Sequence, residues 1–549
     1  MNAGKDINAG MFQKQEHLRF FYINSAFGRS ELLTGLEEVL VMIEKISSMN
    51  ASVNGFVWGV PMLILLIGTG IMMTIRSGFF QVSHFKHWIH HTIGAIFTDK
   101  KVTAHTEKQD KSISQFQSLC TALAATIGTG NIAGVAAAIV SGGPGAIFWM
   151  WIVSFFGMMT NYSENVLGIF YRRKNSKGEW CGGAMYYLSE GLGSKKGCAA
   201  IGKGLAGLFA SFCVLASFGI GNMTQVNTIA ANMNAVFNIP TFVIGIILMI
   251  LAAIVIVGGI KRIGTVTEKL VPFMAIAYVI GAVIIIAVNA GRFPAAFVAV
   301  IRGAFALKAV GGGIVGYGVM LAVTWGMKRG VFSNEAGLGS SVMVHSASNV
   351  KEPVAQGMWG IFEVFADTIV VCSLTAFAIL CSGVVNLEDG TMISDAASTA
   401  LVSEAFSTVF GKFGAGFIAF AILLFAYSTV LGWSQYGLRA FEYLFGEKST
   451  IIYRVVFVAF ILVGATMNLQ LAWDLSDTFN GLMAIPNLIG VISCSGTVLA
   501  ITKNYVERKI KGNTELSPMY SAYDDIQNAQ EEANDGDISD IEGIAPGFD

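Results

Sequence analysis

The chain has 549 residues, 54% of them hydrophobic and 13% charged, with a mean hydropathy of +0.62. No soluble core of this size hides so much apolar surface, so the composition points to a polytopic membrane protein. A net charge of -1 offers no basic stripe for nucleic acid, and seven scattered cysteines without a C-x-x-C pair offer neither a disulfide framework nor a zinc site.

Residues 1–52 form an N-terminal extension without the continuous apolar core of a secretory signal. Within it, 31–46 (ELLTGLEEVLVMIEKI) reads as an amphipathic helix lying on the outer membrane face. The membrane domain, 53–502, holds eleven apolar runs, at 53–74, 115–140, 144–171, 204–237, 240–259, 271–289, 312–345, 354–383, 412–438, 451–468 and 471–501. Each suffices for the about 20 residues that cross hydrocarbon. Unpaired backbone groups are costly in lipid and the alternating segments of a barrel are missing, so the spans are predicted to be helices. The expected fold is all-α, with about eleven transmembrane helices.

Lys and Arg set the expected orientation. The loop 75–114 carries six of them, 172–203 seven, 260–270 three and 502–511 four, whereas 384–411 carries none, which places the N-terminus outside and the C-terminus in the cytoplasm. The loop 290–311, with Arg292, Arg302 and Lys308, fits least well. His84, His87, His90 and His91 stand at near-helical spacing in the first basic loop; a surface-lying helix beside Phe85 and Trp88 is a simpler account than a transition-metal site. The end of the chain, 503–549, is expected to be a disordered acidic tail, since 513–549 contain ten acids and no Lys or Arg.

The stretch TIGTGNIAGV, 126–135, has the G-x-G-x-x-A spacing of a dinucleotide turn, but the glycines interrupt a membrane run and the place of the ribose-binding acid falls among Phe148, Trp149, Met150 and Trp151. Two readings remain, close helix packing or a true break. GVFSNEAGLGS, 330–340, interrupts run 7 and repeats the N-x-A-G of Asn131–Gly134 at Asn334–Gly337. Four runs follow each interruption, so spans 2–6 and 7–11 read as two five-helix repeats, which an odd number of crossings forces into opposite orientations. Paired Gly-interrupted segments in inverted halves point to a transport site near the midplane. Carbonyl oxygens freed by a break suit a hard cation, and the N–H groups that open a half-helix suit a carboxylate. The pattern therefore argues for cation-coupled transport of a small zwitterion.

TIGTGNIAGVAAAIVSGGPGAIFWMW, GMMTNYSENVLGIFYRR, CGGAMYYL, RGVFSNEAGLGSS and FEVFADTIVVCSLTA, in this order, closely resemble the alanine or glycine:cation symporters, which share the leucine-transporter type of inverted-repeat fold. The resemblance runs from about residue 53 to 502. It implies an alternating-access symporter, not an enzyme, of a bacterial cell or inner membrane, importing alanine or glycine with sodium or a proton and needing no cofactor. The implied substrate site lies between the breaks, on Thr126, Gly128, Thr129, Gly130 and Asn131 of span 2 and Phe332, Ser333, Asn334 and Glu335 of span 7. In span 9, Thr429 and Trp433 share a helix face. By the same resemblance, the Ser428 and Thr429 hydroxyls with the Ala124 and Ile127 carbonyls form a sodium site, and Trp433 walls off the substrate side chain. Asn222 and Gln225 of span 4 add polar lining.

Each of these residues also has an ordinary structural reading. Ser and Thr in membrane helices commonly bond their own i-4 carbonyl, and Asn131 and Asn334 serve equally well to tie loose backbone together. Lys328 and Arg329 abut the second break, with Glu164, Glu335, Glu363 and Asp367 as candidate counter-charges, either as a structural ion-pair network or as a gate or proton route. A channel or an amino-acid sensor on a transporter scaffold is the alternative function. An intramembrane enzyme would need a nucleophile–base pair in mid-span, where His345 is the only histidine.

Overall fold

The computed structural model describes residues 29–107, 109–305, 317–393, 396, 398–467 and 470–532. Residues 1–28, the first part of run 7 with Lys308, and the chain beyond Glu532 lie outside the described residues. Two compact units divide at Val53/Asn54. In the first, the helix that starts at Arg29 includes the whole stretch 31–46 read as amphipathic.

The second unit is helical almost throughout. Among the described residues its one paired sheet is a short antiparallel hairpin, Arg173–Lys174 with Trp180–Cys181, inside a basic loop. Six described helices are long and apolar enough to cross a membrane: Glu44–Arg76, Ala199–Phe237, Gly259–Val288, Pro353–Ser382, Lys412–Phe445 and Glu447–Thr466. The pair Trp473–Ser493 and Ser495–Ile510, bent by 57°, makes seven if it is one span. The other runs hold helices too, but shorter, less apolar or interrupted ones: Gln115–Thr126 and Ala133–Gly142, Ala146–Phe170, Thr241–Val257 and Tyr317–Asn334.

Two stretches expected to be loops are helical. The Gly259–Val288 helix takes in 260–270, and Phe293–Phe305 occupies much of 290–311. Charge does not stop the first of these because its long side chains reach backbone carbonyls, Arg262 donating to Ile254 O at 2.8 Å and Lys261 to Glu107 O at 2.6 Å.

Small residues let the helices approach. A Cβ on Gly360 would stand 2.4 Å from Asn165 Nδ2, and one on Gly432 would stand 2.7 Å from the Ala125 Cβ. Ala146–Phe170 packs on Tyr317–Asn334 and Pro353–Val364, and Ala199–Phe218 packs on Lys412–Phe445 and Gln470–Ser493. Ile247, Ile254, Ile276, Ile280 and Val455 remain exposed, an outer surface suited to hydrocarbon.

The tail departs from its expected disorder as far as it is described. Ser495–Tyr505 continues as a π-helical turn to Ile510, and after an extended stretch Asp524–Glu532 is a helix with Ile526 buried. Composition hid this because one isoleucine and one tyrosine provide the apolar anchor.

Candidate functional site

The first break is built by its own side chains. Gln117 N–H donates to Ser114 Oγ and Ser114 N–H to Gln117 Oε1, a capping box that starts the Gln115–Thr126 helix. Beyond Thr126, Ile127 (ψ 89°) and Gly128 (φ -136°, ψ -148°) leave helical geometry, Thr129–Asn131 makes one tight turn, and helix resumes at Ala133. Gly128 lets Thr429 come close, since a Cβ there would lie 2.4 Å from Thr429 Oγ1 and force that side chain to shift.

The second break is displaced from its expected place. Phe332, Ser333 and Asn334 stay helical, and Glu335 N–H still donates to Val331 O at 2.9 Å. Unwinding begins at Glu335, which takes φ +57°, and continues through Gly337 (φ +91°) and Gly339 (φ +72°) before Val342–His345. The left-handed positions, not the N-x-A-G letters, fix where the helix ends.

The two breaks touch. A Cβ on Gly130 would stand 3.2 Å from Phe332 Cδ1 and 3.4 Å from Ser333 Cα. Both break asparagines tie down freed N–H groups: Asn131 Oδ1 accepts from Gly128 at 2.9 Å and Asn334 Oδ1 from Ala336 at 3.0 Å. Their amides turn to one π-helical segment, Phe365–Cys372, where Asn131 donates to Asp367 Oδ1 at 2.6 Å and Asn334 to Thr368 Oγ1 at 3.0 Å. The Thr368 hydroxyl donates in turn to Asp367 Oδ2 at 2.8 Å. All four side chains are buried. Ser333 Oγ lies 3.3 Å from Cys372 Sγ in the same cluster.

A small cavity opens where the breaks meet. Its walls include Gly128, Thr129, Gly130, Gln225, Phe332, Glu335, Thr429 and Trp433 from the stretches singled out in the sequence, joined by Ile220 and Asn480. The buried Thr129 hydroxyl has no hydrogen-bond partner among the described residues, while Thr129 N–H reaches Gln225 Oε1 at 3.4 Å. The Glu335 carboxylate accepts from Ser340 Oγ at 2.6 Å and has the Trp433 side chain beside it. Trp433 backs onto the Gly219–Met223 turn, where a Cβ on Gly221 would come 2.4 Å from the Trp433 Cβ.

Beside the cavity, Thr429 Oγ1 lies 3.1 Å and Ser428 Oγ 3.3 Å from Ala124 O. Each hydroxyl also reaches Phe425 O, at 3.0 and 2.8 Å. Ile127 follows one turn after Leu123, whose carbonyl accepts its N–H. Oxygens of this kind, all neutral, suit a hard monovalent cation. Asn222 is not among the cavity's lining residues. Its amide donates to Phe457 O at 2.7 Å, anchoring the turn to the Thr450–Thr466 helix.

The intramembrane charges, which the sequence did not pair, find their partners in the fold. Lys328 meets Asp477 at 2.5 Å, and Arg329 lies over the Trp325 and Phe332 rings. Glu363 meets His345 at 3.0 Å, Glu164 accepts from Asn487, and neither Lys328 nor Arg329 forms an ion pair with Glu164, Glu335, Glu363 or Asp367 among the described residues. Sequence reasoning missed Asp477, Asn480 and Asn487 because run 11 carries no copy of the N-x-A-G signal that marked the two breaks. In the first basic loop, His91 Nδ1 meets His87 O at 2.9 Å, and no group of metal-ligating side chains occurs among the described residues.

Residues 43–518 match the sodium:alanine symporter family. The chain is 44% identical to a sodium/alanine symporter of Methanococcus maripaludis, over 83% of this chain and 96% of that protein. The chain belongs to the sodium:alanine symporter family. It is 42% identical to an uncharacterized transporter of Haemophilus influenzae, over 84% and 97% of the two chains. With a probable sodium/glutamine symporter of Bacillus subtilis it shares 35% identity over 84% and 90%. This symporter is an integral membrane protein that performs cation-coupled amino-acid symport, and it is not an enzyme.

Proposed function

We propose that the chain imports a small neutral amino acid, alanine or glycine, together with sodium, by alternating access between two inverted five-helix repeats of an eleven-span domain. The observation that carries this is the cavity shared by the two breaks, lined by Thr129 and Glu335 and walled by Trp433. At one end the unpartnered Thr129 hydroxyl and the start of the second half-helix favour the substrate carboxylate. At the other, Glu335 has no cationic partner among the described residues and receives the ammonium. Buried in a membrane span, such a carboxylate calls for a counter-charge, and its left-handed backbone costs about 1–3 kcal/mol that surrounding structure must offset. Sodium sits beside them on the Ser428 and Thr429 hydroxyls and the Ala124 and Ile127 carbonyls.

Trp433 keeps the side-chain end short, which favours alanine or glycine over the glutamine named for the Bacillus relative. The charge bias of the loops supports an N-terminus outside and a C-terminus in the cytoplasm. One sodium with a neutral zwitterion moves one charge, worth about 2.3 kcal/mol at 100 mV, or roughly 40-fold accumulation before any sodium gradient is added.

The test is uptake of labelled alanine and glycine into proteoliposomes with sodium, lithium and proton gradients imposed separately. Saturable uptake driven by sodium is expected. Uptake indifferent to sodium, or unitary currents without concentrative uptake, would refute the reading.

A further inference from the structure

The described part of the tail makes contacts that substrate binding does not use. Ala522 N–H donates to Phe170 O at 2.9 Å, and the Tyr523 hydroxyl donates to Tyr171 O at 3.4 Å, both at the end of the Ala146–Phe170 helix. The Arg173 guanidinium lies 3.9 Å over the Tyr523 ring, and Ile526 is buried with Tyr523 and Ala529 against Trp180. Lys351 Nζ donates to Gln530 O at 3.2 Å. Upstream, Arg508 grips Glu352 with two bonds, at 2.8 and 3.0 Å.

What lies under the tail matters more than the tail itself. Trp180 belongs to the hairpin Arg173–Lys174/Trp180–Cys181, and its neighbour Glu179 accepts from Arg439 at 2.7 Å. Arg439 also bonds Glu442 at 2.6 Å, and both stand on the Lys412–Phe445 helix, which carries Ser428, Thr429 and Trp433 further up. On the other side of Trp180, Arg172 stacks 4.2 Å over the ring and donates to the carbonyls of Ser346, Ser348 and Val350. That stretch leaves the second broken span and bonds back to Ile113, just before the first. The hairpin is thus a cross-link between the inner ends of both broken spans and the helix that walls the cavity. Ile526 and Tyr523 sit on it from outside.

We propose that residues 519–532 are an autoinhibitory clamp, which holds the hairpin 173–181 in place and so keeps the two broken spans locked together on this side until the tail detaches. The clamp lies beyond the residues that match the family. Its dock is small, resting on one isoleucine, one cation–π contact and a few hydrogen bonds, which is the construction expected of an element that opens locally while the rest stays folded. The proposal rests on the alternating-access reading above.

Two variants of the full-length symporter in proteoliposomes test it: Ile526→Asp, and a chain ending at Ser517. Cys181 reports on the hairpin, since it follows Trp180 on the same strand and is buried against Arg439 and Glu442, where burial holds its thiol up at about 12. N-ethylmaleimide labelling of Cys181, mapped by mass spectrometry, should be at least 5-fold faster in both variants, and initial alanine uptake about 3-fold faster. Unchanged Cys181 labelling in the truncated chain, or uptake that is unchanged or lower, would each overturn the clamp. Wild-type uptake without sodium dependence would instead undo the reading on which it rests.

Discussion

Asn131 holds Asp367 at 2.6 Å with its amide while its carbonyl holds the Gly128 N–H at 2.9 Å, so one side chain fastens the first break to a helix from the other half of the chain. The second break reaches the same carboxylate through Asn334 and Thr368. A continuous run of hydrogen bonds thus joins the two unwound segments through Asp367. Replacing Asp367 by Ala removes the nearest acceptor of two buried donors, the Asn131 amide and the Thr368 hydroxyl, at about 1–3 kcal/mol each. Uptake in proteoliposomes should fall at least 50-fold at normal membrane abundance. Asp367→Asn keeps an acceptor and should retain more activity; equal losses would show that charge, not hydrogen bonding, is what Asp367 supplies.

Glu335→Gln removes the proposed partner of the substrate ammonium but keeps the Ser340 contact. Alanine should bind at least 30-fold more weakly. Propionate, which lacks the amine, should lose little, so the preference for alanine narrows. Competition assays that leave this preference intact would remove Glu335 from the substrate.

Thr429→Val keeps the shape of the side chain and deletes an oxygen 3.1 Å from Ala124 O. The sodium concentration for half-maximal uptake should rise about tenfold. Ser428→Ala should have a smaller effect, because that hydroxyl is farther from Ala124 O and closer to its own helix carbonyl. Sodium titrations indistinguishable from wild type would place the ion elsewhere.

Trp433→Ala opens the wall behind the substrate side chain. Larger neutral amino acids such as leucine should become competitors and alanine affinity should drop severalfold. Unaltered selectivity would mean that the ring packs against Gly221 without meeting substrate.

Burial, then the neighbouring His91, His84 and His90, push His87 down to about 4. The unfolded chain binds a proton near 6.5 that the folded chain refuses until about 4, so stability is complete above the higher value and declines as pH falls through this window. His87→Asn should flatten the acid side of a melting-temperature profile between pH 6.5 and 4; an unchanged slope would assign the acid sensitivity to other groups.

The membrane class, the helical fold and the neighbourhood of both interruptions follow from the sequence because they depend on local properties: apolar run length, the need to pair backbone in lipid, and glycines where a side chain would block a turn. Thr429 and Trp433 were legible for the same reason, since i and i+4 share a helix face wherever the helix lies. Tertiary structure decided what the polar residues do. Asn222 carries the same amide as Gln225, yet packing turns it to Phe457 while Gln225 reaches Thr129. Lys328 finds Asp477 from a run with no sequence signal, and the tail's Ile526 finds Trp180 across more than 300 residues of chain. A buried polar group takes whichever partner the packed helices bring within about 3 Å, and that distance is a property of the assembled fold, not of the residue.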